Sequence, residues 1–227
     1  MLVKEFFENT SVYLSKNFGI RFRRNLISGL VKDYEFESIL DIGCGDGSIS
    51  TPLLNDKKEL YLVDLSENML KIAASGIPDN LKANVIIQHS TLEDFSPGKK
   101  FDLIIAVGFL AHVSSVWDAI AKMKSLLNEK GKLIIQFSDF NHIITRMNMK
   151  VRDKNKHQLQ VLRRPEIHTV LAKNNLVIKK EIRFPTVAPG MGRLSNEFLY
   201  KLMKFIFKSR ILSFYRSEYL IVAEVSL

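Results

Sequence analysis

Short apolar runs alternate with segments of helical spacing along most of the chain. Nearly continuous apolar residues, typical of strands covered on both faces, occur in SILDIG, ELYLVD, ANVIIQ, FDLIIAVG and KLIIQFS. Helical spacing is found in SISTPLLND, in SENMLKIAASG and in SSVWDAIAKMKSLLNEKG, which has a start signal at Ser114 and Ser115 and a stop signal at Gly131. Two more strand patterns, NLVIKKEIRF and SEYLIVAEVSL, come later. This alternation predicts an α/β fold with an open, mostly parallel sheet.

The first apolar run leads into a glycine-rich stretch, ILDIGCGDGSIS. Glycine at a strand-to-helix turn adopts positive φ and lets a ligand approach the main chain, where the first N–H groups of the next helix lack internal partners. Such turns serve many nucleotide folds, so this one is a weak signal alone. Ser48 stands where the dinucleotide fingerprint requires a further glycine, and the Gly-Lys-Ser/Thr of a phosphate-binding loop is missing.

An acid ends the second apolar run, in LVDLSENML. Asp64 is placed to accept hydrogen bonds from both hydroxyls of a ribose, and its charge disfavours a phosphate on that sugar. Ser66 is a good N-cap for the following helix. The structural alternative for Asp64 is an acid that only stabilises the start of a helix. Because Asp64 occurs together with the glycine turn, binding of a ribose is favoured over that alternative.

The motifs LDIGCGDG, LVDLSENML and FDLIIAVGFLAHV, in this order and spacing, resemble those of class I S-adenosylmethionine-dependent methyltransferases. The resemblance runs from about Ile39 to Phe137, and the two later strand patterns extend the topology. It implies a Rossmann-like sheet of seven strands, mostly parallel with the last strand antiparallel, and helices on both faces. It also implies S-adenosyl-L-methionine as the cofactor and S-adenosyl-L-homocysteine as its product. The acidic side chain of Asp41 is consistent with this cofactor, because the cofactor carries a positively charged ammonium and a positively charged sulfonium.

Residue by residue, the resemblance places the first acid and the glycines beside the methionine and ribose of the cofactor. Asp64 would hold the ribose hydroxyls, and Leu65 would lie against the adenine. Ser90 and Thr91 stand where the family often has an acid, so the adenine contacts stay open. Val107, at the end of the fourth strand, would lie near the sulfonium. The predicted cofactor-binding residues are Asp41, Gly43, Cys44, Gly45, Gly47, Asp64, Leu65, Met69, Ser90, Thr91, Leu92 and Val107.

Histidines are the candidate general bases toward a methyl acceptor. His112 follows the fourth strand and His142 follows the fifth, at the end of the sheet where ligands bind in open α/β folds. The alternatives are a structural role for His112 beside the cofactor and a solvated loop position for His142. Weaker candidates for contact with the acceptor are His157, His168, Tyr13 and Tyr200.

Several acceptor chemistries lack the residues they need. No Asn/Asp-Pro-Pro-Tyr sequence, typical of methylation at amide or base nitrogens, follows the fourth strand. The only cysteine, Cys44, lies in the cofactor turn, so it is not placed as the nucleophile that pyrimidine methylation requires. No acid follows the fourth strand before Asp118, and we therefore predict no metal site.

The net charge of +9 is concentrated in two segments on the predicted substrate side. Residues 142–164 carry seven basic side chains against one acid, and residues 190–217 carry six against one. The rest of the chain is therefore slightly acidic. This concentration favours an anionic acceptor, such as a carboxylate, a phosphate or a lipid head group. Arg21, Arg23 and Arg24 are further candidates to meet an acceptor anion, with solvated surface arginines as the alternative.

The second basic segment contains SNEFLYKLMKFIFKSRILSFYR, in which Lys201, Lys204 and Lys208 share one helical face and apolar residues cover most of the rest. A broad apolar surface bordered by lysines suits an interfacial helix or a lid over a large apolar acceptor. The alternative is a helix packed on the core with a solvated row of lysines. We therefore expect peripheral membrane contact, if any, through residues 196–212.

We predict a single methyltransferase domain over residues 1–227. Its parts are an N-terminal helical cover (1–35), a cofactor-binding core (36–137) and two substrate-side insertions (138–164 and 185–217). A composition of 46% hydrophobic and 25% charged residues with one cysteine fits a cytoplasmic globular protein. We see no signal-peptide pattern, and no unbroken apolar run reaches the roughly 18 residues of a membrane span.

The predicted function is methyl transfer to a small-molecule or lipid-like, anionic acceptor, with O-methylation preferred. The rival among enzymes is RNA methylation, because a net charge of +9 also suits a phosphate backbone. No separate RNA-binding module is recognised, however, and the second basic segment is rich in Phe, Leu and Met. The rival from another class is a cofactor-binding regulatory protein without turnover.

Overall fold

The computed structural model describes residues 17–153, 159–188 and 190–226. Its seven strands are β1 Ser38–Ile42, β2 Glu59–Asp64, β3 Val85–His89, β4 Phe101–Val107, β5 Leu127–Ser138, β6 Leu176–Phe184 and β7 Glu218–Val225. The helices of the described ranges are α1 Phe18–Val31, α2 Glu67–Ser75, α3 Val116–Ser125, α4 Ile143–Asp153, α5 Arg164–Lys173 and α6 Asn196–Lys208. In these ranges, no helix combines the length and the apolar composition needed to cross a bilayer.

All seven strands form one sheet in the order β3-β2-β1-β4-β5-β7-β6. The pairs β1–β2, β2–β3, β1–β4 and β4–β5 are parallel, whereas β7 runs antiparallel to both of its neighbours, β5 and β6. The predicted Rossmann-like α/β sheet with a reversed last strand is therefore confirmed. Because β7 is reversed, its first residue lies at the same edge as the last residues of the parallel strands.

Two apolar cores cover the two faces of the sheet. On one face, Ile120 of α3 and Leu171 of α5 pack against alternate strand residues such as Leu40. On the other face, helices α1, α2 and α6 pack against the intervening strand residues, with Ile27 and Met203 among the contacts. Burial on both faces explains why the central strands read as nearly continuous apolar runs.

The helix starts agree with the capping residues in the sequence. The Ser66 hydroxyl accepts a hydrogen bond from the Met69 N–H at the start of α2, and the Ser115 hydroxyl accepts one from the Asp118 N–H at the start of α3. A serine at this position satisfies an N–H that has no partner within the helix, which is worth about 1 kcal/mol. The predicted caps at Ser66 and Ser115 are confirmed.

Two predicted helical segments differ in the structure. The segment SISTPLLND contains only a short 3-10 turn, Thr51–Leu53. The prediction that the helix of α3 ends just before a stop signal at Gly131 is wrong, because α3 ends at Ser125 and β5 begins at Leu127. Gly131 lies within β5, where the register with β4 shifts and a Cβ would be 2.8 Å from the carbonyl oxygen of Phe101. That glycine permits close approach of two strands; it does not end a helix.

Candidate functional site

The sheet order places a crevice at the carboxyl ends of β1 and β4. The chain goes from β1 to β2 on one side and from β3 back to β4 on the other side, so the connections diverge at this point. Ligands of open α/β sheets bind at such a switch point, outside the carboxyl ends of the strands. The glycine turn after β1 and the acid at the end of β2 both lie at this edge.

The glycine turn is held in a left-handed backbone conformation and fastened to β2. Gly43 and Gly47 have φ of 67° and 69°, which side-chain-bearing residues rarely adopt. A Cβ at Gly43 would be 2.9 Å from the ring of Phe109, so this glycine permits close packing with the segment after β4. The N–H groups of Gly43 and Cys44 both donate to the carbonyl oxygen of Val63. Hydrogen bonds to β2 therefore hold the glycine turn in place.

Asp64 points its carboxylate toward the glycine turn. Its Oδ2 accepts a hydrogen bond of 2.8 Å from the Gly45 N–H, and its Oδ1 accepts one of 2.9 Å from the Ser66 N–H. Burial raises the pKa of Asp64, although these backbone hydrogen bonds favour the charged form. Each oxygen keeps a further acceptor position. Asp64 therefore presents acceptor positions at the place where the sequence predicts ribose hydroxyls.

Asp41 lies beneath the same turn and is buried. Its Oδ2 accepts a hydrogen bond of 2.6 Å from the Ser50 hydroxyl. Burial raises the pKa of Asp41 to about 7, with a smaller contribution from the nearby charges of Asp64 and Asp46 and against the lowering effect of the Ser50 hydrogen bond. A cluster of carboxylates around the turn suits a ligand with positive charge. Burial also raises the pKa of the Cys44 thiol, which is accordingly not activated as a nucleophile.

The remaining predicted cofactor residues lie at different depths around the edge. Leu65 is exposed beside Asp64. The Ser90 N–H donates to the carbonyl oxygen of Asp64, which brings the start of the β3 loop to the same place. The Thr91 hydroxyl donates a hydrogen bond to the Asp94 carboxylate and accepts one from the Asp94 N–H. Met69 and Leu92 are buried in the interior. Contact of these residues with the cofactor, including Val107 at the end of β4, stays a prediction.

The two histidines are both near this edge but differ in their contacts. His112 ends the 3-10 turn after β4, Leu110–His112, and is half-buried. His142 has both ring nitrogens occupied, because Nδ1 accepts from the Ile144 N–H and Nε2 lies 2.5 Å from the carbonyl oxygen of Phe214. Its proton is thereby fixed on Nε2. This geometry favours a structural role for His142, and a catalytic role for either histidine stays a prediction.

The weaker candidates for contact with the acceptor also make contacts within the chain where the structure describes them. The Tyr200 hydroxyl accepts a hydrogen bond of 2.6 Å from Asn25, and its ring lies 4.1 Å from the guanidinium of Arg21, so it joins α6 to α1. His168 pairs with Glu181. The candidates Tyr13 and His157 lie outside the described residues.

A cavity of about 100 Å³ lies beside the crevice, between α1, α4 and the adjoining ends of β5 and β7. The polar residues that line it are Arg23, Ser138, Thr145, Asn148, Gln160, Thr186 and Glu218. The Nε of Arg23 and the hydroxyl of Thr145 are buried without a hydrogen-bond partner in the described part of the chain. Buried polar groups are normally paired, so these two mark a place where a polar ligand fits. A larger depression of about 420 Å³ lies at the opposite edge of the sheet, away from this chemistry.

The sequence analysis missed Glu218 as a site residue. It is the first residue of β7 and is buried, with hydrogen bonds from Gln136 and Ser138 at the end of β5. The available signal was an acid at the head of an otherwise apolar run, SEYLIVAEV. Its relevance depends on β7 being antiparallel, which puts the start of that run at the ligand-binding edge.

Both basic insertions border this edge. Lys201, Lys204 and Lys208 are exposed on α6, and Phe198 and Phe205 on the same helix are 53% and 63% exposed. Leu199, Tyr200 and Met203 are buried. Helix α6 is therefore packed on the core by one face, as the structural alternative predicted, and still exposes aromatic residues between its lysines. Lys154 and Lys156 of the first insertion lie outside the described residues.

Comparisons with known proteins found methyltransferases among the relatives of this chain. Residues 40–133 match the family model described as a methyltransferase domain. The ubiquinone biosynthesis O-methyltransferase of Rickettsia felis is 27% identical over 172 residues, which cover 70% of this chain and 68% of that protein. The protein of the same name from Glaesserella parasuis is 31% identical over 105 residues, or 44% of each chain.

Solved structures share the fold over nearly the whole chain. Magnesium protoporphyrin IX methyltransferase from Synechocystis, with bound S-adenosyl-L-homocysteine, has a TM-score of 0.68 and 16% identity, and the match covers 99% of this chain and 98% of that one. A methyltransferase from Thermotoga maritima, described as a possible histamine N-methyltransferase, has a TM-score of 0.66 and 20% identity over 97% and 98% of the two chains.

The methyltransferase-domain match over residues 40–133 and the methyltransferase relatives support an S-adenosylmethionine-dependent methyltransferase, and the solved structures share its Rossmann-like fold. The chain is accordingly an enzyme that takes a methyl group from S-adenosyl-L-methionine. The residues at the crevice fit that cofactor, because Asp64 has free acceptor positions for the ribose and the buried carboxyl of Asp41 lies beneath the same turn. Asp64, Asp41 and the turn would hold the nucleoside and amino-acid parts. The bound cofactor supplies an activated methyl group.

Proposed function

We propose that this enzyme transfers the methyl group to the oxygen of a small acceptor that carries an anionic group, and that the acceptor binds in the cavity beside the crevice. The observation that carries the proposal is the polar lining of this cavity, in which Arg23 and Thr145 have unpartnered buried atoms. The names of the curated relatives, which are O-methyltransferases of ubiquinone biosynthesis, support oxygen as the methylated atom.

Arg23 is the proposed partner of the acceptor anion. It lies on α1, which packs over this edge of the sheet next to α6, and its guanidinium has no ion-pair partner among the described residues. Arginine binds carboxylates through two parallel hydrogen bonds, which also fixes the direction of the bound molecule. Orientation is the main requirement of an in-line displacement, and alignment of the two reactants is worth about 7–11 kcal/mol.

We also propose that α6 and the turn after it contact an anionic membrane surface. Of the large apolar residues that are exposed in the described part of the chain, many lie on this segment or next to it: Ile143, Met147, Leu194, Phe198, Phe205, Ile211, Phe214 and Tyr215. Exposed Lys201, Lys204, Lys208 and Arg210 lie among them. Aromatic and aliphatic side chains next to basic ones are typical of helices that lie at a bilayer surface. An acceptor dissolved in the membrane would reach the enzyme from this side.

The alternative of RNA methylation rests on the net charge of +9. The exposed aromatic and aliphatic residues among the basic ones on α6 favour a lipid surface over a phosphate backbone.

A labelled-methyl experiment tests the proposed reaction. Purified protein is incubated with methyl-labelled S-adenosyl-L-methionine and a cell extract, and the products are separated into organic-soluble, RNA and protein fractions. We expect label in the organic-soluble or small-molecule fraction, as a base-stable methyl ether or as a base-labile methyl ester. Label confined to RNA, with binding abolished by moderate salt, would establish the alternative. Cofactor binding without transfer to any fraction would contradict both reactions.

A further inference from the structure

Glu218 is a buried carboxylate without a cationic partner. The residue is only 3% exposed, and within the described ranges no lysine, arginine or histidine lies at ion-pair distance from it. Buried carboxylates are normally paired with a cation, because removal of an unpaired charge from water has a cost in folding free energy. A group that is held at such a cost is a candidate for function.

Two neutral donors hold this carboxylate in place. The Gln136 side chain donates to Oε2 at 2.5 Å, and the Ser138 hydroxyl donates to Oε1 at 2.7 Å. An ionised carboxylate accepts about four hydrogen bonds, so each oxygen retains a position for another donor. Glu218 and Ser138 both line the cavity that also contains Arg23. The free acceptor positions of Glu218 are therefore available to a molecule bound there.

Gln136 connects this carboxylate to the cofactor crevice. Its Oε1 has no hydrogen-bond partner in the described part of the chain, and it would lie 3.9 Å from a Cβ added at Gly108. Gly108 directly follows Val107, which pairs with Gln136 across β4 and β5. One side chain thus separates Glu218 from the strand end where the methyl group is predicted to lie.

We infer that Glu218 is the catalytic base, and that the acceptor is a hydroxyl compound whose anionic group lies against Arg23 while its hydroxyl donates to Glu218. This inference rests on the proposed function. In the step itself, the acceptor oxygen forms a bond to the methyl carbon, the carbon–sulfur bond breaks and its electron pair stays on sulfur. The hydroxyl proton passes to the Glu218 carboxylate and later to water. Phenols and enols that carry a carboxylate are the class with this combination of groups.

Glu218→Gln tests the role of this carboxylate with little change of shape. The probes are a dihydroxybenzoate and its nitro derivative, whose hydroxyl is largely ionised at neutral pH. A general base is worth about 10²–10⁴-fold, so kcat of the variant with the dihydroxybenzoate should fall by about that factor. With the nitro derivative the fall should be less than about tenfold, because no proton has to be removed. A structural defect would lower both rates equally.

A second measurement needs no turnover. The absorbance of the bound nitro derivative, in the presence of S-adenosyl-L-homocysteine, reports whether its hydroxyl is ionised. A nearby carboxylate opposes ionisation, so the bound probe should ionise at a higher pH in the wild type than in Glu218→Gln. Glu224→Gln is the matched control, since it lies in the same strand β7 but pairs with Lys132 and Lys179 away from the cavity. It should behave as the wild type.

The outcomes separate this inference from the proposed function. Equal losses with both probes, or an unchanged rate in Glu218→Gln together with an unchanged absorbance titration, would overturn the role of Glu218 while leaving O-methylation in place. Failure of the wild type to methylate any hydroxyl probe or extract component would overturn the proposed function and this inference with it. Circular dichroism and calorimetry with S-adenosyl-L-homocysteine verify that the variant is folded and binds the cofactor.

Discussion

At the scale of single residues, the proposed cofactor half of the site contains two carboxylates in different environments. Asp64 accepts hydrogen bonds from two loops and retains acceptor positions, whereas Asp41 is buried and bound to the Ser50 hydroxyl. The sequence allows both to be predicted, because each stands at the end of an apolar run beside a turn. Glu218 could not be predicted in the same way, since only the reversed direction of β7 brings it to the ligand-binding edge.

Replacement of Asp64 by alanine should strongly weaken cofactor binding. Hydrogen bonds to a charged group are worth about 1.5–3 kcal/mol each, so losing two from the ribose should weaken S-adenosyl-L-homocysteine binding by about 100-fold or more. Calorimetry measures the affinity, and circular dichroism checks the fold. Asp79→Ala, which removes an exposed carboxylate paired with Lys82, is the control and should bind normally. Normal affinity in Asp64→Ala would refute the ribose assignment.

Asp41 should make stability depend on pH. Its pKa is raised to about 7 by burial, so the folded state binds the proton more tightly than the unfolded state. The stability linked to Asp41 is therefore complete below about pH 4 and is lost as pH rises through about 7, at about 1.4 kcal/mol per unit of pKa difference. Urea unfolding of Asp41→Asn and wild type at pH 5 and pH 8 checks this. The variant should gain stability relative to the wild type at pH 8, and a pH-independent difference would contradict the assignment.

At the scale of elements, α6 packs on the core by one face and exposes aromatic residues and lysines on the other. Its buried residues Leu199 and Met203 attach it to the core, and Asn25 and Arg21 of α1 contact Tyr200. Its outer face exposes Phe198 and Phe205 between lysines. Helical periodicity predicts the helix itself, but it does not show which apolar residues the core covers, because that depends on the neighbouring α1. The same limit applies to the end of α3, where strand pairing with β4 converts residues 127–131 into sheet.

Replacing Lys201, Lys204 and Lys208 by glutamine should weaken binding to anionic vesicles. Each lysine near an anionic bilayer contributes about 1 kcal/mol, so the triple variant should bind phosphatidylglycerol vesicles about 100-fold more weakly. Cosedimentation at several salt concentrations measures this. The matched control is the triple change to glutamine at Lys57, Lys100 and Lys130, which are exposed before or near the start of strands β2, β4 and β5 at the opposite edge. Equal vesicle binding by both triple variants would show that the α6 lysines are only solvated and do not contact the membrane.

At the scale of the whole molecule, the fold was predictable because its local signals agree. Alternating apolar runs and helical segments, glycines at the first turn and an acid after the second run all indicate one topology. The proposed acceptor site was less predictable, since Arg23 of α1, Ser138 at the end of β5 and Glu218 of β7 meet only after the sheet and its cover are assembled. Residues far apart in sequence carry no common pattern, so their meeting is visible only in three dimensions.

The two backbone hydrogen bonds of Asp64 have a consequence for how the ligand is received. The carboxylate is already immobilised by Gly45 and Ser66 before any nucleoside arrives, so this side chain does not have to be ordered at that moment. A receptor that is rigid in advance loses little conformational entropy upon association. The ribose should therefore bind to a preformed site at Asp64. Binding there should be fast and should be accompanied by little change in backbone dynamics.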